Sequence, residues 1–240
     1  MAYALCDERI SKKCRASLIA EGFSLITMPK ALGLPSAISS HTDMLFFSDG
    51  KTFITSEEYR KTNSELFSLL ESALHSVDFL YTEDKFGSEY PNDAIFNALL
   101  IDNRLFIRME SCSSSLLRYA EKKGIKVIPV NQGYPACTVL GFGNCAITAD
   151  RGMARVLENE GITVTLIENS DCISLPPYTY GFIGGAAGVY KNKIYFLGNL
   201  DQHPDFELIK GSIKAAGYSP VFLDCESSSL YDLGGIRFFD

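Results

Sequence analysis

Five times along this chain a polar amphipathic stretch gives way at once to a short apolar strand, and that recurrence constrains the fold more than any other feature. In four cases the junction is a glycine: Ala20-Glu21-Gly22 before 23–26, Lys123-Gly124 before 125–128, Glu160-Gly161 before 162–167, and Ala216-Gly217 before 218–223. Glycine closes a helix in the left-handed conformation and lets the next residue begin a strand. The fifth case, His75-Ser76-Val77 before 78–81, lacks the glycine. Upstream of the helices lie strands at 52–55, 105–107, 145–148 and 194–197, running towards Ser56, Ser111 and Ser113, Asp150, and Asp201 with Asp205. Such residues accept hydrogen bonds from the free N–H groups of a first helical turn. Further upstream, strands are predicted at 43–47, 93–100, 137–142 and 180–189. Turns such as Ser48-Asp49-Gly50, Ile101-Asp102-Asn103 and Gly143-Asn144 join them to their partners as hairpins.

These elements make four strand–strand–helix–strand units, at about 36–81, 89–130, 134–168 and 178–224. The two ends supply the parts of a fifth. Residues 231–239 read as a first strand; 2–6, a helix over about 8–21 and 23–28 read as the rest. The expected fold is α/β, a five-fold pseudo-symmetric propeller of ββαβ units. Pairing of the N- and C-terminal strands closes it into one domain over 1–240 and removes an exposed sheet edge. An ordinary α/β sandwich built from the same elements is the competing arrangement.

Composition narrows the partners. The formal net charge is −7, and no Lys/Arg run exceeds two residues, as at Lys12-Lys13 and Lys122-Lys123. That leaves no basic footprint for nucleic acid or an anionic membrane. No signal peptide or apolar run of spanning length is present, which predicts a cytoplasmic location. The seven cysteines (Cys6, Cys14, Cys112, Cys137, Cys145, Cys172, Cys225) are odd in number and contain no CxxC, so they are expected reduced, each by default a small buried hydrophobe. His41, His75 and His203 have no metal-ligand spacing, and no metal or cofactor is expected. Gly181, Gly184, Gly185 and Gly188 lack phosphate-loop spacing and read as a close approach of backbone. His203 is expected on the surface and His75 near a helix C-terminus.

Polar residues recur at the heads of the first strands, where apolar ones belong. They are His41-Thr42-Asp43; Asn92-Asp93 with Asn97 beyond; Cys137-Thr138; and Asp232 before Gly234-Gly235. Buried polar groups need partners, so these are expected to face one another or a ligand. Strand alternation would put His41 and Asp43 on one face. Cys137 is the candidate nucleophile. It is expected to alkylate before Cys6, Cys14, Cys145 and Cys225.

The five-fold unit, with His41-Thr42-Asp43, Ala136-Cys137-Thr138-Val139 and Asp232-Leu233-Gly234-Gly235, resembles the pentein superfamily, the guanidine-modifying, arginine deiminase-like α/β propellers. The resemblance implies a Cys nucleophile at Cys137, His41 as acid/base and Asp232 as the partner acid. It implies Asp43, Asn92, Asp93 and Asn97 as substrate-binding groups, since facing carboxylates are natural receptors for a guanidinium. The expected function is that of a hydrolase or transferase acting on a small guanidine or amidine. The alternative is a non-catalytic ring that binds a metabolite or a protein or ribosome surface, as pentein anti-association initiation factors do. The sequence departs from the enzymes in one respect: Cys137 comes one unit later than the pattern sets it, and Phe238 stands where their C-terminal Cys would.

Overall fold

The computed structural model describes residues 2–168, 171–224 and 226–240. The chain begins with β1 (Tyr3–Asp7), α1 (Lys12–Ala20) and β2 (Ser24–Met28). A helical turn α2 (Thr42–Leu45) leads into β3 (Phe46–Ser48) and β4 (Thr52–Ser56); α3 (Glu57–Thr62), α4 (Ser64–Ala73) and β5 (Asp78–Thr82) follow. Next come β6 (Leu99–Ile101), β7 (Arg104–Ile107), α5 (Ser114–Lys123) and β8 (Lys126–Pro129). A second helical turn α6 (Pro135–Thr138) precedes β9 (Val139–Phe142), β10 (Cys145–Thr148), α7 (Arg151–Asn159) and β11 (Thr163–Leu166). After β12 (Ile173–Ser174) come β13 (Ala187–Tyr190), β14 (Lys193–Phe196), α8 (Phe206–Ala215) and β15 (Ser219–Phe222). The chain finishes with β16 (Leu230–Tyr231) and β17 (Arg237–Phe239).

Five three-stranded sheets repeat one pattern: β3-β4-β5, β6-β7-β8, β9-β10-β11, β13-β14-β15 and β17-β1-β2. In each, the middle strand is antiparallel to the first and parallel to the third. A tight turn suffices for the antiparallel step, whereas the parallel step needs the helical crossover. The two ends of the chain share a sheet. Tyr3 pairs with Phe239 and Leu5 with Arg237 on one side; Tyr3 pairs with Ser24 on the other. Strand β9 lies against β6 and β13, and β13 against β17.

The helix boundaries follow local chemistry. Ser11 accepts from Cys14 N–H, Ser113 from Ser115 N–H, and Asp150 from both Gly152 and Met153 N–H. At the other end of α5, Gly124 takes φ 65°, ψ 30°, and Gly22, Gly161 and Gly217 also have positive φ, as the junctions predicted. Apolar faces of helices and strands fill the space between sheets. Phe46 stacks on Phe53 at 4.0 Å, and Phe53 meets Phe239 of the C-terminal strand at 6.3 Å. All three rings are fully or almost fully buried, each contributing roughly 1.5–3 kcal/mol.

The first strands begin later than the sequence indicates: at Phe46, Leu99, Val139 and Ala187 rather than at 43, 93, 137 and 180. Residues 42–45 and 135–138 instead form single helical turns. The reason is backbone hydrogen bonding. No strand pairs with these segments, and buried N–H groups cannot stay unpaired. The turn pairs them locally: Leu45 N–H to His41 C=O, and Thr138 N–H to Tyr134 C=O. The C-terminal segment also differs from the single strand expected over 231–239. It divides into β16, which pairs in parallel with β12, and β17, with the turn through Gly234 and Gly235 between. His203, expected at the surface, is buried, and its Nδ1 accepts from Asp205 N–H.

Candidate functional site

His41 caps the turn α2, so His41 and Asp43 are brought together by a helical turn and not by strand alternation. The turn is fastened to the C-terminal loop: Asp43 N–H and Thr42 Oγ1 both donate to Gly234 C=O, the hydroxyl at 2.7 Å. Cys137 sits in the turn α6, which starts on Pro135. Asp232 follows β16. Its Oδ2 accepts Phe182 N–H at 2.8 Å and its Oδ1 accepts Gly234 N–H at 3.1 Å. The glycines expected to mark a close backbone approach do so. A side chain at Gly184 would run into the carbonyls of Ala136, Cys137 and Val139, and one at Gly185 into the Asp232 carboxylate. Gly185 N–H donates to Cys137 C=O, while its own carbonyl accepts from Leu233 and Gly235, stitching the Cys137 and Asp232 loops together.

His41, Cys137 and Asp232 line one cavity of about 320 Å³, together with Tyr134, Tyr178, Tyr180 and Phe182. Behind Cys137 is a polar cluster. The thiol donates to Asp43 Oδ2 at 2.8 Å, and Asn97 Nδ2 donates to the sulfur at 3.1 Å. Asn97 Oδ1 accepts Ala136 N–H at 2.8 Å, which fixes the amide's orientation and with it the direction of the thiol contact. Asp93 accepts the Tyr134 hydroxyl at 2.8 Å. Asn92 is not part of this arrangement: it is exposed, and its backbone makes a turn with Gly87 and Glu89.

The electrostatics are those of buried acids. All of His41, Asp43, Cys137 and Asp232 are 5 % exposed or less. Burial, with Asp43 nearby, raises Asp232 to about 7. Burial also raises Asp43, against the opposing pull of Arg237. The Cys137 thiol is pushed far up by burial and then by the Asp43 and Asp232 charges. His41 is held down at about 3 by burial and by Arg9, so it is neutral at physiological pH. Its Nδ1 lies 3.8 Å from Asp232 and its Nε2 3.9 Å from Asp7. Neither ring nitrogen has a hydrogen-bond partner, nor do Asp43 Oδ1 and Asp93 Oδ1. Unmade hydrogen bonds in a buried site are costly, and of these groups His41 lines the cavity, where a ligand could supply its partner. A cation entering here would ease the repulsion between carboxylates and favour the thiolate.

The structure also alters the ranking of thiols. Cys137, Cys6 and Cys14 are buried, whereas Cys112, Cys145 and Cys172 are partly exposed, so Cys145 is more accessible than Cys137. Cys225 lies outside the described residues. Asp7 and Arg9 escaped the sequence reading. Arg9 donates to both Asp7 oxygens, and that pair flanks His41. The only sequence signal was an Asp at the end of a second strand, equivalent to the capping residues elsewhere. Tyr180 and Phe182 stood at the head of the strand predicted over 180–189; Tyr178, which the fold brings to the same cavity, carried no signal in the sequence. Among the described residues no group of three or more His, Cys, Asp or Glu side chains could hold a metal ion, and no helix is long and apolar enough to cross a membrane.

A family model described as "Family of unknown function (DUF6873)" matches residues 5–237. No curated protein sequence matches the chain. Solved structures do. A dimethylarginine dimethylaminohydrolase, crystallised as an adduct with 4-chloro-2-hydroxymethylpyridine, superposes with a TM-score of 0.57 at 10% identity, over 93% of this chain and 92% of that one. ArgZ, an arginine dihydrolase from the ornithine–ammonia cycle in cyanobacteria, gives 0.56 at 15% identity; the match covers 93% of this chain and 37% of the ArgZ chain. SxtG, an amidinotransferase from Microseira wollei in the saxitoxin biosynthetic pathway, gives 0.55 at 11% identity, over 96% and 93%. All three are members of the pentein superfamily, and this chain has their fold.

Proposed function

Taking as premise that the chain belongs to the Family of unknown function (DUF6873) and folds as a pentein, we propose that it is a cytoplasmic enzyme acting on a small guanidine or amidine. Residues 1–240 form one domain, and the five sheets are blades of a propeller closed by β17 and β1. The site lies at one end of the axis.

The observation that carries this reading is a thiol hydrogen-bonded to one buried acid, beside a cavity that a second buried acid and a histidine line. Cys137 contacts Asp43, and Asp232 and His41 line the same space. Guanidinium is planar, cationic and made of N–H donors, so it pairs with Asp232 in the cavity, and its charge lowers the cost of ionising Asp43 behind the thiol. In the reaction Asp43 accepts the Cys137 proton and the sulfur attacks the central carbon, forming a C–S bond. The leaving nitrogen takes that proton from Asp43 and departs as an amine or ammonia. Water in a hydrolase, or a second amine in a transferase, then attacks the S-linked carbon and gives up one proton to His41, between Asp232 and Asp7, which passes it to the ionised Asp232; the C–S bond breaks, and the product's second labile proton returns through Asp43 to the sulfur. Asn97 and Asp93 hold the site's shape and polarity.

A non-catalytic ring that binds a metabolite is the second reading. It is favoured by the thiol's burial and its proton, both of which slow nucleophilic attack. One experiment separates the two. The protein is incubated with guanidines and amidines, then followed by intact mass for a covalent adduct and by amine or ammonia release. Turnover lost in Cys137→Ser supports the enzyme. Binding without adduct or release supports the ring. Neither binding nor turnover overturns both.

A further inference from the structure

The aromatic side of the cavity has no part in the chemistry just described. Tyr178, Tyr180 and Phe182 line the 320 Å³ cavity together with His41, Cys137 and Tyr134. The cavity falls in the size range that holds a small organic molecule, not a bare headgroup alone (~300 Å³ upwards). Tyr180 and Phe182 pack edge to face, ring centroids 6.0 Å apart. The wall is tied to the acidic floor, because Phe182 N–H donates to Asp232 Oδ2. Tyr178 and Tyr180 remain 49% and 43% exposed. Large apolar rings held at a cavity mouth retain surface that a ligand can cover.

Charge decides what that surface accepts. Among the described residues lining the cavity the only formally charged side chain is Asp232, and Asp43 stands directly behind Cys137. Arg9 is the one guanidinium whose field reaches both His41 and Asp232, and it is already held by both oxygens of Asp7. A carboxylate carried on the ligand's tail would therefore meet aromatic faces and buried acids, with no cation to receive it. An aryl or short apolar tail would stack on the wall, and a cationic head passing it gains from the ring faces.

We propose that this cavity takes a guanidinium or amidinium bearing an aromatic or short apolar substituent, and that Tyr178, Tyr180 and Phe182 select such a ligand over cations that carry a carboxylate. The proposal rests on the reading of the site as a guanidine or amidine receptor. Titration calorimetry at pH 8 with methylguanidine, benzylguanidine and arginine tests the two separately. Methylguanidine reports the head site; the ratio between ligands reports the wall. Benzylguanidine is expected to bind at least about tenfold more tightly than arginine. Tyr180→Ala, at a half-exposed position, should lower the benzylguanidine-to-methylguanidine affinity ratio about threefold to tenfold, the size of one aromatic contact. Tyr178→Ala should act in the same direction. Arginine binding as tightly as benzylguanidine, or a ratio unchanged in both variants, overturns the selection by the wall while methylguanidine binding leaves the head site standing. Failure of every guanidine to bind the wild-type protein overturns both.

Discussion

The Cys137 thiol donates a 2.8 Å hydrogen bond to Asp43, a residue 94 positions away in sequence. The contact holds the proton on sulfur and makes the resting thiol a poor nucleophile, while placing its base within reach. Iodoacetamide labelling of the folded protein at pH 8, mapped by peptide mass, should therefore modify Cys112, Cys145 and Cys172 before Cys137. Addition of a binding guanidine should change the Cys137 rate and leave the partly exposed thiols alone. Cys137 labelling first in the free protein would contradict the geometry.

Asp43 is raised by burial, so the folded protein holds its proton more tightly than the unfolded chain does. Stability from this group is fully present below the unfolded carboxyl range near ~4 and is lost as pH rises through the folded value. Asp43→Asn removes that loss and keeps an oxygen for the thiol. Its melting temperature at pH 8 should exceed wild type by a few degrees, the shift that ~1 kcal/mol gives a chain of this size, with no gain at pH 4. The same variant should lose guanidine binding. A variant less stable than wild type at pH 8 would show that the Asp43 charge is satisfied in the fold.

Asp232, raised to about 7, is partly protonated at neutral pH. A cation binds its ionised form, so affinity should rise with pH through 7 and level off above it. Below 7 it should fall by up to about tenfold per pH unit. Binding should release protons, read as a dependence of the calorimetric heat on buffer ionisation enthalpy at pH 6.5. An affinity flat from pH 5.5 to 8.5 would remove Asp232 from the binding site.

Gly234 adopts φ 72°, and a Cβ there would collide with the Cβ of His41. Gly234→Ala should displace the α2 turn, weaken guanidine binding and lower the melting temperature, because both strain and clash act at one place. Gly50→Ala, at a positive φ with nothing within 4 Å, is the control for strain alone and should leave binding intact. Equal binding losses in the two variants would mean the Gly234 contact has no special role.

Phe239, in β17, is buried against Phe53 and pairs with Tyr3 across the sheet that joins the two chain ends. Phe239→Ala should cost ~3–5 kcal/mol. Deletion of residues 233–240 should abolish cooperative unfolding, since it removes β17 and exposes the edge of β1. A soluble truncation that melts like the intact chain would refute closure through this strand.

The repeat was legible in the sequence because its determinants are local. Helix-closing Gly22, Gly124, Gly161 and Gly217, the caps at Ser113 and Asp150, and the apolar second strands depend on neighbours within a few residues. Their spacing alone predicted five equivalent units and the sharing of one sheet by the chain ends. His41, Asp43, Asp93, Asn97, Cys137 and Asp232 stood out for a related reason: polar groups at the heads of apolar strands need partners. The partners themselves were beyond local pattern. Whether His41 and Asp43 sit on a strand or a turn was decided by which backbone N–H groups had no strand to pair with. Asn92 left the cluster because its turn faces solvent, though Asp93, one residue on, is buried. Asp7, Arg9 and Tyr178 joined the site only because distant segments fold onto it. Burial, which sets the charge of Asp232 and the reactivity of Cys137, is a property of packing and is written nowhere in the order of residues.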